Sequence, residues 1–262
     1  MHLAQHAFRV LAGGATVAAL ACALTGTAMA DRMPLIGSAQ TQPVSGTRSI
    51  TSTLGTIVAI DPLTVPCTQG ANFDEVNCGP TPGLSIDGIF ASGDMTFAER
   101  FAGQTVESVG LFDAIAGAPS NPLTLQAGLS GQNLNVFSYW TNVLTGLGPL
   151  GFPEMDAIGE GSISMRFATG QSRVALEIVG GNGGWATLEF YRADGTLIDS
   201  VYLNGLYDQP FGFQTADGTP VIAGILVQTG DESGIGIDNI CHSAGVDNAR
   251  VATWGSLKAI YR

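Results

Sequence analysis

From Glu160 to His242 the chain alternates apolar and polar residues in short runs, broken by Gly-Gly and Asp-Gly and closing on Gly234-Ile-Gly-Ile-Asp-Asn-Ile240. Successive side chains of an extended strand point to opposite faces, so a period of two describes segments that are buried on one side and wet on the other. A helix would repeat its apolar positions every three or four residues. The pattern predicts strands at 162–167, 173–179, 186–192, 197–203, 212–215, 222–228 and 236–241, preceded by weaker candidates at 53–60, 84–90, 105–112, 123–128 and 134–139. Strands recurring about every ten residues with turn signals between them define an antiparallel all-β sandwich rather than an α/β fold. Arg192-Ala-Asp-Gly-Thr196 marks the clearest hairpin, because Gly195 can take positive φ between two alternating runs.

The first thirty residues set the compartment. His2, His6 and Arg9 precede an apolar run from Val10 to Leu24, and Ala28-Met-Ala30 follows. This is the plan of a secretory signal peptide, with cleavage expected before Asp31. The apolar run is short for a membrane span, and no later segment is long and apolar enough, so the mature chain is expected to be secreted to the extracellular space or cell surface, without a transmembrane segment. Residues 31–52, rich in Ser, Thr, Gln, Gly and Pro, read as a linker. Residues 53–94 read as an N-terminal strand with a disulfide loop, 95–245 as the sandwich, and 246–262 as a C-terminal tail.

Charge and cysteine content follow from the same compartment. The chain carries 10 Lys plus Arg against 22 Asp plus Glu, and removing the leader with its single Arg9 takes the net charge from −12 to −13. So acidic a surface repels phosphate backbones and argues against nucleic acid as a partner, while neutral glycans and divalent cations remain compatible. Cys22 leaves with the leader. Cys67 and Cys78 flank the aperiodic segment Thr68–Asn77, which needs a clip, so a Cys67–Cys78 disulfide is expected. Spacing leaves Cys241 open as the partner of either, or as a small buried residue of the last strand.

The runs Glu160-Gly-Ser-Ile-Ser-Met-Arg-Phe, Ala186-Thr-Leu-Glu-Phe-Tyr-Arg-Ala-Asp-Gly-Thr-Leu, Phe211-Gly-Phe and Gly236-Ile-Asp-Asn-Ile resemble the jelly-roll domains of secreted bacterial proteins of the PEP-CTERM and choice-of-anchor type. Those domains are in turn similar to carbohydrate-binding-module sandwiches. The resemblance covers about residues 95–242 and implies a jelly-roll β-sandwich. The Pro-Glu-Pro motif, apolar helix and basic tail of PEP-CTERM proteins are missing from the final residues, Thr253-Trp-Gly-Ser-Leu-Lys-Ala-Ile-Tyr-Arg262, so that family's sorting route is not implied. In carbohydrate-binding jelly rolls a last strand like Ile237-Asp-Asn-Ile240 supplies an Asp to a structural calcium together with an acid near the first strand. The resemblance therefore implies calcium held by Asp238 and Glu99, two carboxylates toward the six to eight oxygens that the ion takes.

Catalytic patterns are sparse. Glu154-Met-Asp-Ala-Ile-Gly-Glu160 resembles the Glu-x-Asp-x-(x-)Glu strand of jelly-roll retaining glucanases, where alternation brings two carboxyls about 5–5.5 Å apart. Here an extra residue intervenes, and Pro153 and Gly159 interrupt the strand. His242 is the only histidine left after cleavage, with no Gly-x-Ser-x-Gly beside it. Aromatic residues offer binding instead. Trp185 follows a glycine turn and suits a rim platform, and Tyr191 shares strand parity with Glu189, which places it on the exposed face. In the tail, the spacing of Trp254, Leu257, Ile260 and Tyr261 predicts a short helix that must dock to be stable. The sequence thus reads as a secreted, non-catalytic jelly-roll protein of the cell surface or its surroundings, either a binding protein with glycan or extracellular matrix as the expected partner or a structural component, with a secreted glycoside hydrolase using Glu154, Asp156 and Glu160 as the alternative.

Overall fold

The computed structural model describes residues 48–244. The segments expected to be signal peptide and C-terminal helix, and most of the expected linker, lie outside the described residues. Two antiparallel sheets stack face to face. The first runs, edge to edge, Ser49–Ser52, Leu197–Asn204, Trp185–Tyr191, Ile222–Thr229, Ile163–Gln171, Met95–Ala98 and Phe90–Ser92. The second runs Ile57–Ile60, Gln209–Thr215, Arg173–Gly180, Ile235–Ser243, Asn142–Leu147, Leu134–Ser138 and Leu84–Ile86, with Gly70–Ala71 and Ile158–Gly161 paired off that path. The chain passes repeatedly between sheets, in jelly-roll fashion. Among the described residues no helix is long and apolar enough to cross a membrane.

The alternation anticipated the inward faces. Ala186, Leu188 and Phe190 of one strand meet Leu176, Ile178, Phe211 and Phe213 of the other sheet in one continuous core. Burying each such large side chain contributes about 1.5–3 kcal/mol, which fixes the register, since a one-residue slip would turn the whole set to solvent. The Arg192–Thr196 turn forms as expected, with Gly195 at φ +81° and its N–H donating to the Arg192 carbonyl.

Three expectations are corrected. Residues 49–52 are an edge strand rather than linker, and the strands within 57–92 belong to both sheets, so the sandwich begins at Ser49. Asn142–Leu147 was hidden from pattern reading because it is buried on both faces and does not alternate. The 105–112 segment is not one strand: Thr105–Val109 turns at Gly110 (φ +68°) and returns as Phe112–Ala116, a hairpin standing off the sheets.

The disulfide also differs. Cys67 bonds Cys241, not Cys78, across Cα atoms 4.7 Å apart. Gly70 pairs with Cys241, at φ +146° and with the Ile240 carbonyl oxygen 1.8 Å from where a Cβ would stand, so only glycine lets the backbone come close enough to dock this segment. Cys78 is free. Its thiol donates to Asn142 Oδ1 at 3.3 Å, while Asn142 Nδ2 donates to the carbonyls of Phe73 and Val76. An asparagine from the second sheet holds the aperiodic loop.

Candidate functional site

The outer face of the first sheet carries the one predicted binding residue that stands in solvent. Trp185 is 39% exposed and stacks on Tyr202, 40% exposed, with ring centroids 5.8 Å apart and planes at 29°. Register explains the pair. Trp185 lies opposite Asn204 and Thr187 opposite Tyr202, so the two rings are diagonal neighbours on one face, within reach for aromatic side chains. The indole lies across Gly230, where a Cβ would come within 2.2 Å of it, and the Gly230 N–H donates to the Trp185 carbonyl at 2.9 Å. Asp231 fixes the preceding glycine turn by accepting from the N–H groups of Asn182, Gly184 and Ser233. The platform thus rests on a pinned turn. Polar neighbours flank it: Ser49 and Thr51 of the edge strand oppose Asn204 and Tyr202.

Tyr191 is not exposed. Its parity is as expected, on the outer face with Glu189, but it is only 4% accessible because Phe101, Leu123 and Leu226 pack on it in a second apolar cluster outside the sheet. Phe101 meets it edge-on at 5.5 Å. The phenol donates to the Glu189 carboxylate and receives Gln104 Nε2 at 3.4 Å. Burial, and then Glu189, push its ionisation far above the usual range. Alternation reports which side a residue faces, and a distant segment decides whether water reaches it.

The structure does not bring Asp238 and Glu99 together. Asp238 accepts from Thr141 Oγ1 at 2.8 Å and the Asn239 N–H at 2.7 Å, and burial, against those hydrogen bonds and with Glu177 and Asp74 adding to it, pushes its carboxyl up to about 6. Glu99 instead pairs with Arg100, and burial raises it despite that partner. The Glu99 N–H donates to Asn133 Oδ1, beside the start of the strand Leu134–Ser138, whereas Thr141, the donor to Asp238, lies beyond its other end. Among the described residues no three or more His, Cys, Asp or Glu side chains gather as a metal cluster. Glu99 and Asp238, the residue pair named for calcium, are thus set apart in the fold.

Glu99 has a different acidic neighbour that sequence reading missed. Asp113, on the hairpin 112–116, is raised to about 7, first by burial and then by the Glu99 charge, with Arg100 opposing. Only the fold brings these residues together across the hairpin.

The three acids of the hydrolase alternative do not share a strand face. Glu154 precedes the short 3-10 turn Met155–Ala157 without a side-chain capping bond and is exposed, as is Asp156, whereas Glu160 is buried in Ile158–Gly161. His242 is buried against Phe167, rings 5.0 Å apart, with Nε2 3.0 Å from Asp94 Oδ1.

No family model matches the chain, and no curated protein matches it. Among solved structures it is similar to a mutant of a family 29 carbohydrate-binding module, described in work on ligand recognition by that family, at 15% identity over 55% of this chain and 94% of that one. The TM-score is 0.17, so the likeness carries no weight for fold or ligand.

Proposed function

We propose that the protein is an exported, non-catalytic β-sandwich that binds glycan on the outer face of its first sheet, with Trp185 and Tyr202 as the stacking surface. The observation that carries the reading is the exposed, tilted aromatic pair seated on Gly230 and ringed by hydroxyl and amide side chains. Two adjacent aromatic rings on a rigid sheet make a flat apolar surface, and sugar rings present the apolar face and hydroxyl rim that this surface complements. A disulfide closing most of the chain supports an oxidising destination, in line with the leader. The separated positions of Glu154, Asp156 and Glu160 give the hydrolase alternative no support.

The test is a glycan array on the mature protein followed by calorimetry with the best ligands. Trp185→Ala and Tyr202→Ala should each weaken binding about tenfold or more, since losing a stacking ring removes at least about 1.4 kcal/mol. Circular dichroism should remain that of the parent. Full affinity in both variants would overturn the reading.

A further inference from the structure

Beyond the aromatic pair, the same sheet face runs on toward a cavity beside the 192–196 turn. Trp185, Thr187, Glu189 and Tyr191 lie in file on one strand, opposite Asn204, Tyr202, Ser200 and Leu197 of the next. The six residue steps from Trp185 to Tyr191 make the file about 20 Å long, which suits an oligosaccharide rather than a single sugar. At the Tyr191 end lies a cavity of about 500 Å³, lined by Glu189, Ile115, Pro119, Asp194 and Leu197 and by the small edge of Tyr191 that its apolar cover leaves accessible. The hairpin turn blocks its far side. The Leu123 N–H donates to the Ala193 carbonyl at 2.9 Å, and a Cβ on Gly195 would stand 2.8 Å from the Ser120 carbonyl oxygen and 3.0 Å from that of Pro119. Thus the 119–123 loop is tied to the 192–196 turn at the point where a continuous chain would have to leave. The platform end has no such stop, since Trp185 and Tyr202 stand open.

Resting on the reading of that platform as a glycan site, we infer that the protein recognises the end of an uncharged glycan chain. The terminal unit enters the Glu189–Tyr191 cavity and the following units lie over Tyr202 and Trp185. The cavity lining holds two carboxylates, Glu189 and Asp194, the second bonded by Thr196 and with Arg192 nearby, and no lysine or arginine of its own. Carboxylates accept hydrogen bonds from sugar hydroxyls and repel uronates and sulfates. Glu189 is held in place for that role by the Tyr191 hydroxyl, itself braced by Gln104.

The experiment uses soluble mixed-linkage β-glucan, xylan and galactomannan, each before and after partial hydrolysis, with oligogalacturonides as the charged counterpart. Chain-end recognition predicts that sites per gram of the bound polymer rise in proportion to its chain ends, that Glu189→Gln weakens binding about tenfold at unchanged melting temperature, and that oligogalacturonides bind at least tenfold more weakly. Sites per gram that do not change on hydrolysis, with Trp185→Ala still abolishing binding, would overturn the chain-end inference and leave the platform standing. A Trp185→Ala variant that binds like the parent, or no binding to any of the polymers, would overturn both.

Discussion

Asp199 is fully buried in the hairpin strand Leu197–Asn204 and anchors the beginning of the sandwich. Its carboxylate accepts from Ser52 Oγ at 2.7 Å and from the N–H groups of Leu54 at 2.8 Å, Thr56 at 2.8 Å and Ile57 at 2.9 Å. One side chain thereby satisfies the crossing between two edge strands, Ser49–Ser52 in the first sheet and Ile57–Ile60 in the second. Burial by itself would raise the carboxyl. The hydrogen bonds from Ser52, Ile57, Leu54 and Thr56 outweigh it and hold the group at about 2 against an ordinary 3.8. That depression corresponds to about 2.5 kcal/mol of folding stability. Because the folded value is depressed, the contribution is complete above about pH 4 and is lost as pH falls through about 2. Asp199→Asn keeps the volume, abolishes the titration and turns an amide donor toward N–H groups. Urea unfolding of the disulfide-intact protein should therefore show parent and variant separated by a gap at pH 7 that narrows by about 2.5 kcal/mol below pH 2. A gap of the same size at both pH values would refute the assignment of that stability to the ionised carboxylate.

Asp113 has the opposite sign: with its folded value raised to about 7, stability present below about pH 4 is lost as pH rises through 7, so Asp113→Asn should be more stable than the parent at pH 8 by at most about 4 kcal/mol and indistinguishable at pH 4 in thermal melts. Peptide mapping without reduction should link Cys67 to Cys241 and find Cys78 open to alkylation. Replacing Cys67 and Cys241 by serine should cost about 5 kcal/mol in the chain-entropy limit for a loop of 174 residues, measured by denaturant titration. Gly230→Ala should push the indole off its seat and lower glycan affinity as far as Trp185→Ala does, read by calorimetry. Asp238→Ala should lower the melting temperature equally in calcium and in chelator, because Glu99 lies with Arg100 and Asp113 instead of beside Asp238. A loss confined to calcium would show an ion at Asp238.

By itself the sequence determined the all-β class, the inward faces and the Arg192–Thr196 turn, because a period of two and a glycine able to take positive φ are local properties that each strand and turn carries within itself. It marked Trp185 as a rim residue for the same reason, a glycine turn leading straight into an exposed strand position. Tertiary structure decided what those local signals leave open. The Thr105–Ala116 hairpin and the loop after it cover Tyr191, Gly70 brings Cys67 to Cys241 in place of Cys78, and strand register sets Tyr202 against Trp185. Each of these joins residues far apart in the chain, and their neighbours depend on which strands pair and how two sheets stack. Burial of the whole core selects that arrangement, and no short window of residues encodes it.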